Sequence, residues 1–218
     1  RGDTRYIKKL RDMILDELEQ SGTDSSFPLK PQKILHEVRK GMDDHDILLS
    51  DVGAHKLWIA RMYPCNEPNT CLISNGFASM GIALPGSIGA KLLYPERRVL
   101  SINGDGGFLM NCQELETAVR YNVPIVALVW RDNTFGLIKW KQHNQYGRYS
   151  HVDFGNPDIV KFAESFGCAA YRVEAADELR PILEEAFQQN RPAVIDCPVS
   201  YEENELLTER LGKLVCPL

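Results

Sequence analysis

The sequence lacks several features that would assign it to a specialised class of protein. No apolar run approaches the roughly 20 residues needed to span a bilayer, and no signal peptide is recognisable, so we expect no membrane partner and a cytoplasmic location. The six cysteines show no Cys-x-x-Cys spacing. This favours free thiols in a reducing compartment over a zinc site or a disulfide framework.

The chain also lacks an excess of positive charge. Its 25 Lys and Arg are outnumbered by 30 Asp and Glu, and the net charge of −5 argues against nucleic acid as a partner. A length of 218 residues is most simply one domain with a short appendage. Because the first residue is Arg1 rather than Met, we expect the chain to be a fragment of a longer protein.

Alternating strand and helix patterns predict the fold. An amphipathic segment at 4–20, a polar linker at 21–30 and a helix from Pro31 to Gly41 come first. Strands and helices then alternate, which predicts a doubly wound α/β domain with a mostly parallel sheet and helices on both faces. The predicted strands are 47–49, 71–73, 98–102, 124–131, 168–173 and 193–197, and the clearest predicted helices between them are 80–93, 112–121, 157–166 and 177–189.

The turn after strand 98–102 carries the most informative motif, Gly104-Asp105-Gly106-Gly107. Glycines let the backbone approach a bulky anion, but a carboxylate among them would repel a phosphate directly. The combination therefore predicts a hard divalent cation, Mg²⁺, between the carboxylate and a diphosphate. Asp132, 27 positions after Asp105, ends the next strand and supplies a second oxygen, because the carboxyl ends of neighbouring parallel strands converge on one crevice.

Two other interpretations of this turn are weaker. Gly-Asp-Gly alone is most often only a turn, and it is the pairing with Asp132 that favours a site. The dinucleotide-binding pattern Gly-x-Gly-x-x-Gly is disfavoured for two reasons. When it is aligned from Gly104, its last glycine falls on Leu109, and the pattern does not call for an acidic residue between its first two glycines.

Several segments, in order along the chain, resemble acetolactate synthase, a family of thiamine diphosphate enzymes. Gly104-Asp105-Gly106 followed by a polar strand end is similar to the thiamine diphosphate motif, and the similarity covers roughly residues 30–200. The match is with the C-terminal, diphosphate-binding domain of that family. Asp132, where many thiamine enzymes carry Asn, resembles the catabolic, FAD-free branch. The other segments that carry the resemblance are 51–58, 73–81, 84–90, 113–118, 152–155 and 163–167.

The resemblance implies a role for each matching residue. Asp105 and Asp132 would bind Mg²⁺ through their side chains, and Thr134 through its backbone carbonyl. Met80 would wedge under the cofactor and hold its two rings folded together, and Leu137 would lie near the substrate. The implied cofactor-binding residues are Gly53, Ala54, His55, Ala78, Ser79, Met80, Gly104, Asp105, Gly106, Gly107, Asp132, Thr134, Phe135, Gly136 and Leu137.

Three positions, of which two belong to this set, keep a structural alternative. His55 is equally consistent with a diphosphate contact and with a satisfied core histidine. Met80, without its flanking motif, would be ordinary core. Trp140 is similar to a Trp that shapes the substrate pocket of biosynthetic members, but it falls one position away, so packing is its alternative.

The resemblance implies thiamine diphosphate-dependent decarboxylation of pyruvate and its ligation to a second pyruvate. The products would be 2-acetolactate and CO₂, in branched-chain amino acid or acetoin metabolism. The alternatives are another 2-oxo acid decarboxylase or carboligase of the same superfamily, or a non-catalytic assembly module with this fold.

The resemblance also implies that this chain is incomplete as an enzyme. The glutamate that activates the cofactor is expected on the N-terminal, pyrimidine-binding domain of a partner subunit, so no catalytic residue is expected here and the chain should be inactive alone. FAD is not expected on this domain, and a homodimer or homotetramer is expected. The expected division is 1–30 as the tail of a preceding domain, 31–200 as the cofactor domain and 201–218 as a C-terminal tail.

Overall fold

All six predicted strands are present, most of them rich in aliphatic residues, and every pairing between them is parallel. The doubly wound α/β class is therefore confirmed in the computed structural model, which describes residues 4–207. The strands are β1 (Ile47–Ser50), β2 (Cys71–Ile73), β3 (Val99–Gly104), β4 (Val126–Arg131), β5 (Ala169–Arg172) and β6 (Ala193–Pro198). Their order in the sheet is β2-β1-β3-β4-β6-β5.

Helices connect the strands on both faces. The predicted helix at 112–121 is present as Glu114–Arg120, and a short helix that was not predicted, Asp105–Asn111, precedes it. The predicted helix at 80–93 begins at Ala83, because Ala78 and Gly81 have φ angles of 50° and 85°, which a right-handed helix excludes. The helices are α1 (Arg5–Ser21), α2 (Pro31–Gly41), α3 (Ala54–Met62), α4 (Ala83–Leu93), α5 (Asp105–Asn111), α6 (Glu114–Arg120), α7 (Gly136–Tyr146), α8 (Ile159–Ser165) and α9 (Leu179–Phe187).

Strand β4 lies at the centre of two hydrophobic cores. Its alternate residues point to opposite faces of the sheet. Leu128 and Trp130 join the core that packs under α2, α3 and α9, whereas Ala127 and Val129 join the core under α4, α6 and α8. Burial on both faces explains why this strand is a continuous apolar run rather than an alternating one.

The sheet order positions one crevice at the carboxyl ends of the central strands. From β1 the chain moves outward to β2 and then returns to the other side of β1 to form β3. Such a reversal leaves an opening between the connections at the carboxyl edge, where ligands of doubly wound proteins bind. Asp51 and Gly53, which follow β1, and Asp105, which follows β3, lie at this edge.

The segment before α2 packs on the sheet domain. Leu29 pairs with Val199 in a single parallel bridge, and α1 packs against α2. Whether 1–30 is the tail of a preceding domain, and whether the cofactor domain ends at 200, stay predictions. Residues 1–3 and 208–218, including most of the expected C-terminal tail, lie outside the described residues.

Within residues 4–207, none of the helices combines the length and the apolar character that crossing a membrane requires.

Replacing Leu128 by Ala should destabilise the fold strongly. Leu128 is fully buried in β4, between β3 and β6, so truncation removes buried methyl groups and leaves a cavity. We expect the free energy of unfolding to fall by about 2–5 kcal/mol in urea denaturation. The matched control is Leu93→Ala, at a leucine that is 76% exposed, which should change it by no more than about 0.5 kcal/mol. Equal losses in the two variants would contradict the placement of β4.

Candidate functional site

A cavity of about 210 Å³ opens at the carboxyl edge of the sheet, where β1, β3 and β4 end. Every residue that the resemblance implied as cofactor-binding lines it, except Ser79. The structure therefore brings together predicted residues from four separate segments of the chain, while their roles in binding stay predictions. Three lining residues were not anticipated from the sequence: Val52, Ile138 and Tyr201.

The two predicted metal ligands form the acidic part of this cavity. The pairing of β3 with β4 ends at Gly104 and Trp130. Asp105 follows Gly104 directly and Asp132 comes two residues after Trp130, so both lie at the same edge of the sheet. Burial and the neighbouring charge of Asp105 raise the pKa of Asp132 to about 7. Burial also raises the pKa of Asp105, although hydrogen bonds, the strongest from the N–H of Asn133 and the side chain of Asn156, oppose the shift.

This donor set fits a hard divalent cation. The surroundings of Asp105 and Asp132 disfavour the ionised form of both carboxyl groups, and a cation between them would reduce this penalty. Mg²⁺ prefers oxygen ligands such as these. Among residues 4–207 no group of three or more His, Cys, Asp and Glu side chains is arranged to hold a metal. A cation at this point would therefore complete its coordination with backbone, ligand and water oxygens, as Mg²⁺ commonly does.

The glycines beside Asp105 are required by close packing. A Cβ on Gly106 would lie 2.8 Å from Phe135 Cε1, and one on Gly107 would collide with Asp51 Oδ2. The Gly106 N–H donates to Asp105 Oδ1 at 2.8 Å, so this donor helps to hold the carboxylate. The backbone of 106–107 lines the cavity, which is compatible with the implied role of these residues.

Asp51 fixes the segment that carries Ala78 and Met80. Its fully buried carboxylate accepts from the N–H groups of Gly81 at 3.0 Å and Ile82 at 2.9 Å. Asn111 Nδ2 donates to the carbonyl of Gly81 at 2.8 Å, so the segment is held from both sides. These bonds offset the cost of the left-handed backbone at Ala78, which is of order 1 kcal/mol.

His55 lines the cavity as a neutral side chain. It is 1% exposed, and burial lowers its pKa to about 4, so it brings no positive charge to an anion near neutral pH. Its ring packs edge-on against Trp130, with centroids 6.2 Å apart. Its Nε2 has no hydrogen-bond partner among residues 4–207 and remains available to a ligand. Packing and a ligand contact are therefore compatible at this residue.

Tyr201 is the most informative residue that the sequence reasoning missed. It lies between His55, Trp130 and the acidic pair, and burial together with the charges of Asp132 and Asp105 raises its pKa well above the usual value. The expected division placed it in a C-terminal tail. The signal that could have found it is its position just after β6, a further parallel strand that ends at the same edge.

Trp140 lies outside this cavity. It lines an adjoining cavity of about 380 Å³, which shares Asp132, Thr134, Gly136 and Tyr201 with the first. Its side chain is 9% exposed, and its Nε1 has no hydrogen-bond partner among the described residues.

The chain is similar in sequence to known proteins. The family model described as "Thiamine pyrophosphate enzyme, C-terminal TPP binding domain" matches residues 51–197. An acetolactate synthase of Bacillus subtilis (strain 168) is 46% identical over 213 residues, covering 96% of this chain and 37% of that protein. A catabolic acetolactate synthase of Raoultella terrigena is 39% identical over 187 residues, covering 86% and 34%. The acetolactate synthase large subunit of Haemophilus influenzae is 35% identical over 183 residues, covering 83% and 32%. The chain spans about a third of the length of these curated relatives.

Removing the charge of Asp132 should stabilise the metal-free protein at alkaline pH. A carboxyl whose pKa is raised on folding contributes stability below its unfolded pKa of about 3.9, and that stability is lost as the pH rises through about 7. In the presence of EDTA, Asp132→Asn should therefore melt above the wild type at about pH 8, with a gain in unfolding free energy of roughly 1–3 kcal/mol. The gain should shrink towards pH 5.

Thermal melts of both proteins across this pH range check the expectation. A gain that does not depend on pH would contradict the raised pKa. A lower melting temperature for Asp132→Asn at pH 8 would show that the charge is not destabilising.

Proposed function

Because the chain belongs to the thiamine pyrophosphate enzymes and carries their C-terminal cofactor-binding domain, we propose that it is the diphosphate- and Mg²⁺-binding part of an acetolactate synthase. The complete protein would decarboxylate pyruvate and join the remaining two-carbon unit to a second pyruvate, giving 2-acetolactate and CO₂. The observation that carries this proposal is the pair of carboxylates at neighbouring strand ends, Asp105 buried and Asp132 partly buried, beside the glycine backbone of 106–107.

The residues of the chain divide the work of holding the cofactor. Asp105, Asp132 and the carbonyl of Thr134 would hold Mg²⁺, which offsets the charge of the diphosphate. Met80 and Leu137 supply apolar wall to the same cavity and would exclude water from the reacting centre. The chemistry supplied by bound thiamine diphosphate is a carbon nucleophile that adds to a 2-oxo acid and stabilises the electron pair left after CO₂ departs.

We also propose that the site is completed by a second polypeptide segment. Among the residues that the structure describes, Asp105 and Asp132 are the only carboxylates that line the cavity, and the chain spans about a third of the length of its relatives. Large apolar side chains lie exposed near the cavity, among them Phe77, which is fully exposed, and Ile138. Exposed apolar surface of this kind is typical of a partner interface. The proposed partner is the N-terminal domain of a neighbouring subunit in a cytoplasmic homodimer or homotetramer.

Calorimetric titration of thiamine diphosphate, with and without Mg²⁺, tests the cofactor site. We expect the 218-residue chain to bind it weakly or not at all, and a longer chain that includes the preceding domains to bind it only with Mg²⁺. In the longer chain, Asp105→Ala should weaken binding at least about 10-fold, because the diphosphate then faces Asp132 with a poorly held cation. Asp43→Ala is the matched control, since Asp43 pairs with Arg98 ahead of β1 and β3, at the opposite edge of the sheet. Unchanged binding in Asp105→Ala would contradict the metal bridge.

Assays of 2-acetolactate formation from pyruvate test the reaction and the missing domain together. The longer chain should be active and the 218-residue chain inactive. Turnover by the 218-residue chain at the rate of the longer one would refute the need for a partner domain. Activity of the longer chain on other 2-oxo acids but not on pyruvate would favour a different carboligase of the superfamily.

A further inference from the structure

A short segment after α7 runs beside the turn that follows β4. The N–H of Phe135 donates to the carbonyl of Val152 at 2.9 Å, and the N–H of Phe154 donates to the carbonyl of Asn133 at 3.0 Å. The rings of Phe135 and Phe154 also pack together, with centroids 4.9 Å apart. This pairing brings Asn156, which no motif singled out, against the acidic pair.

The carboxamide of Asn156 contacts Asp105 directly. Its Nδ2 donates to Asp105 Oδ2 at 2.7 Å and to Asn133 Oδ1 at 2.9 Å. The N–H of Asn133 donates to the same Asp105 Oδ2, also at 2.7 Å. With its nitrogen facing the carboxylate, the amide is oriented as Asp105 requires, because the reverse orientation would place two oxygens together.

The two oxygens of Asp105 differ in their capacity to bind a cation. Each carboxylate oxygen offers about two acceptor sites. Oδ2 accepts from Asn133 and Asn156 and is therefore saturated, whereas Oδ1 accepts one hydrogen bond within residues 4–207, from the N–H of Gly106. A cation beside Asp105 can thus bind Oδ1 without breaking a bond, but it can bind both oxygens only by displacing Asn156 or Asn133.

We propose that Asn156 is a positioning residue that restricts Asp105 to single-oxygen metal binding through Oδ1 and thereby favours Mg²⁺ over Ca²⁺. Mg²⁺ requires near-ideal octahedral geometry at short distances, which single oxygens satisfy. Ca²⁺ is larger, takes more ligands and readily binds both oxygens of one carboxylate. This inference rests on the proposed function in one respect, since it assumes that Asp105 holds a cation.

A purely structural role would leave a different signature. If Asn156 served only to latch the 152–156 segment to Asn133, its loss would lower the melting temperature in EDTA and weaken both cations alike. The ratio of the affinities for Mg²⁺ and Ca²⁺ separates the two roles, because only a change at the Asp105 carboxylate alters that ratio.

The test compares the binding of Mg²⁺ and Ca²⁺, each alone, to the 218-residue chain by calorimetry and by thermal shift. In Asn156→Ala we expect Mg²⁺ affinity to fall about 10-fold. Ca²⁺ affinity should be nearly unchanged, since the freed Oδ2 becomes a second ligand for the larger ion. Asn156→Gln, which keeps the amide donor, should restore part of the ratio, and Asn156→Ser provides a second loss of the amide if the alanine variant folds poorly. The matched control is Asn66→Ala, which removes an exposed Asn–Asp bond to Asp44 of 2.8 Å.

The outcomes separate the two proposals. An unchanged Mg²⁺/Ca²⁺ ratio in Asn156→Ala and Asn156→Ser would overturn the role of Asn156 while leaving the metal site intact. Absence of saturable binding of either ion to the wild type, or equal binding by Asp105→Ala, would overturn the metal site and the role of Asn156 with it.

Discussion

The arrangement at the carboxyl edge depends on two like charges held close together in a largely buried place. Asp105 and Asp132 each lose hydration on folding, and the charge of Asp105 makes ionisation of Asp132 harder. Isolated from a cation, such a pair costs stability rather than adding to it. This cost, at the ligand-binding edge of a doubly wound sheet, supports the proposed cation, for which the neighbouring polar groups would hold the carboxylates in place.

The central strands of the sheet are rigid enough to hold the two carboxylates together despite their repulsion. β3 and β4 are central strands, paired in parallel and buried on both faces, so their ends cannot move apart to relieve the repulsion. Hydrogen bonds from Asn133 and Asn156 hold Asp105, while Asp51 and Asn111 hold the segment that brings Met80 to the cavity. Close contacts at Gly106 and Gly107 leave no room for side chains there, which keeps the backbone bare at the place where an anion would lie.

Elements with strong local signals were predictable. The strands are aliphatic runs bounded by glycine and polar residues, and α2 begins at Pro31 as its first-turn proline indicates. The start of α4 was not predictable, because nothing local says that Ala78 adopts a left-handed conformation. That conformation is imposed by Asp51, about 30 positions earlier in the chain, through its bonds to Gly81 and Ile82. The short helix α5 was not predicted either, since it starts at Asp105 within the glycine-rich turn itself.

The sequence by itself determined the fold class, the paired aspartates and the family, because these depend on local patterns and on short motifs whose chemistry is specific. Only the tertiary structure decided which other groups surround the pair. Tyr201 and Asn156 belong to segments that lie far from Asp105 along the chain, and their own sequence context is unremarkable. They reach the carboxylates because parallel strands end at one edge and because backbone pairing of 152–154 with 133–135 brings a distant loop to that edge. Contacts of this kind are set by packing and register, which no local pattern encodes.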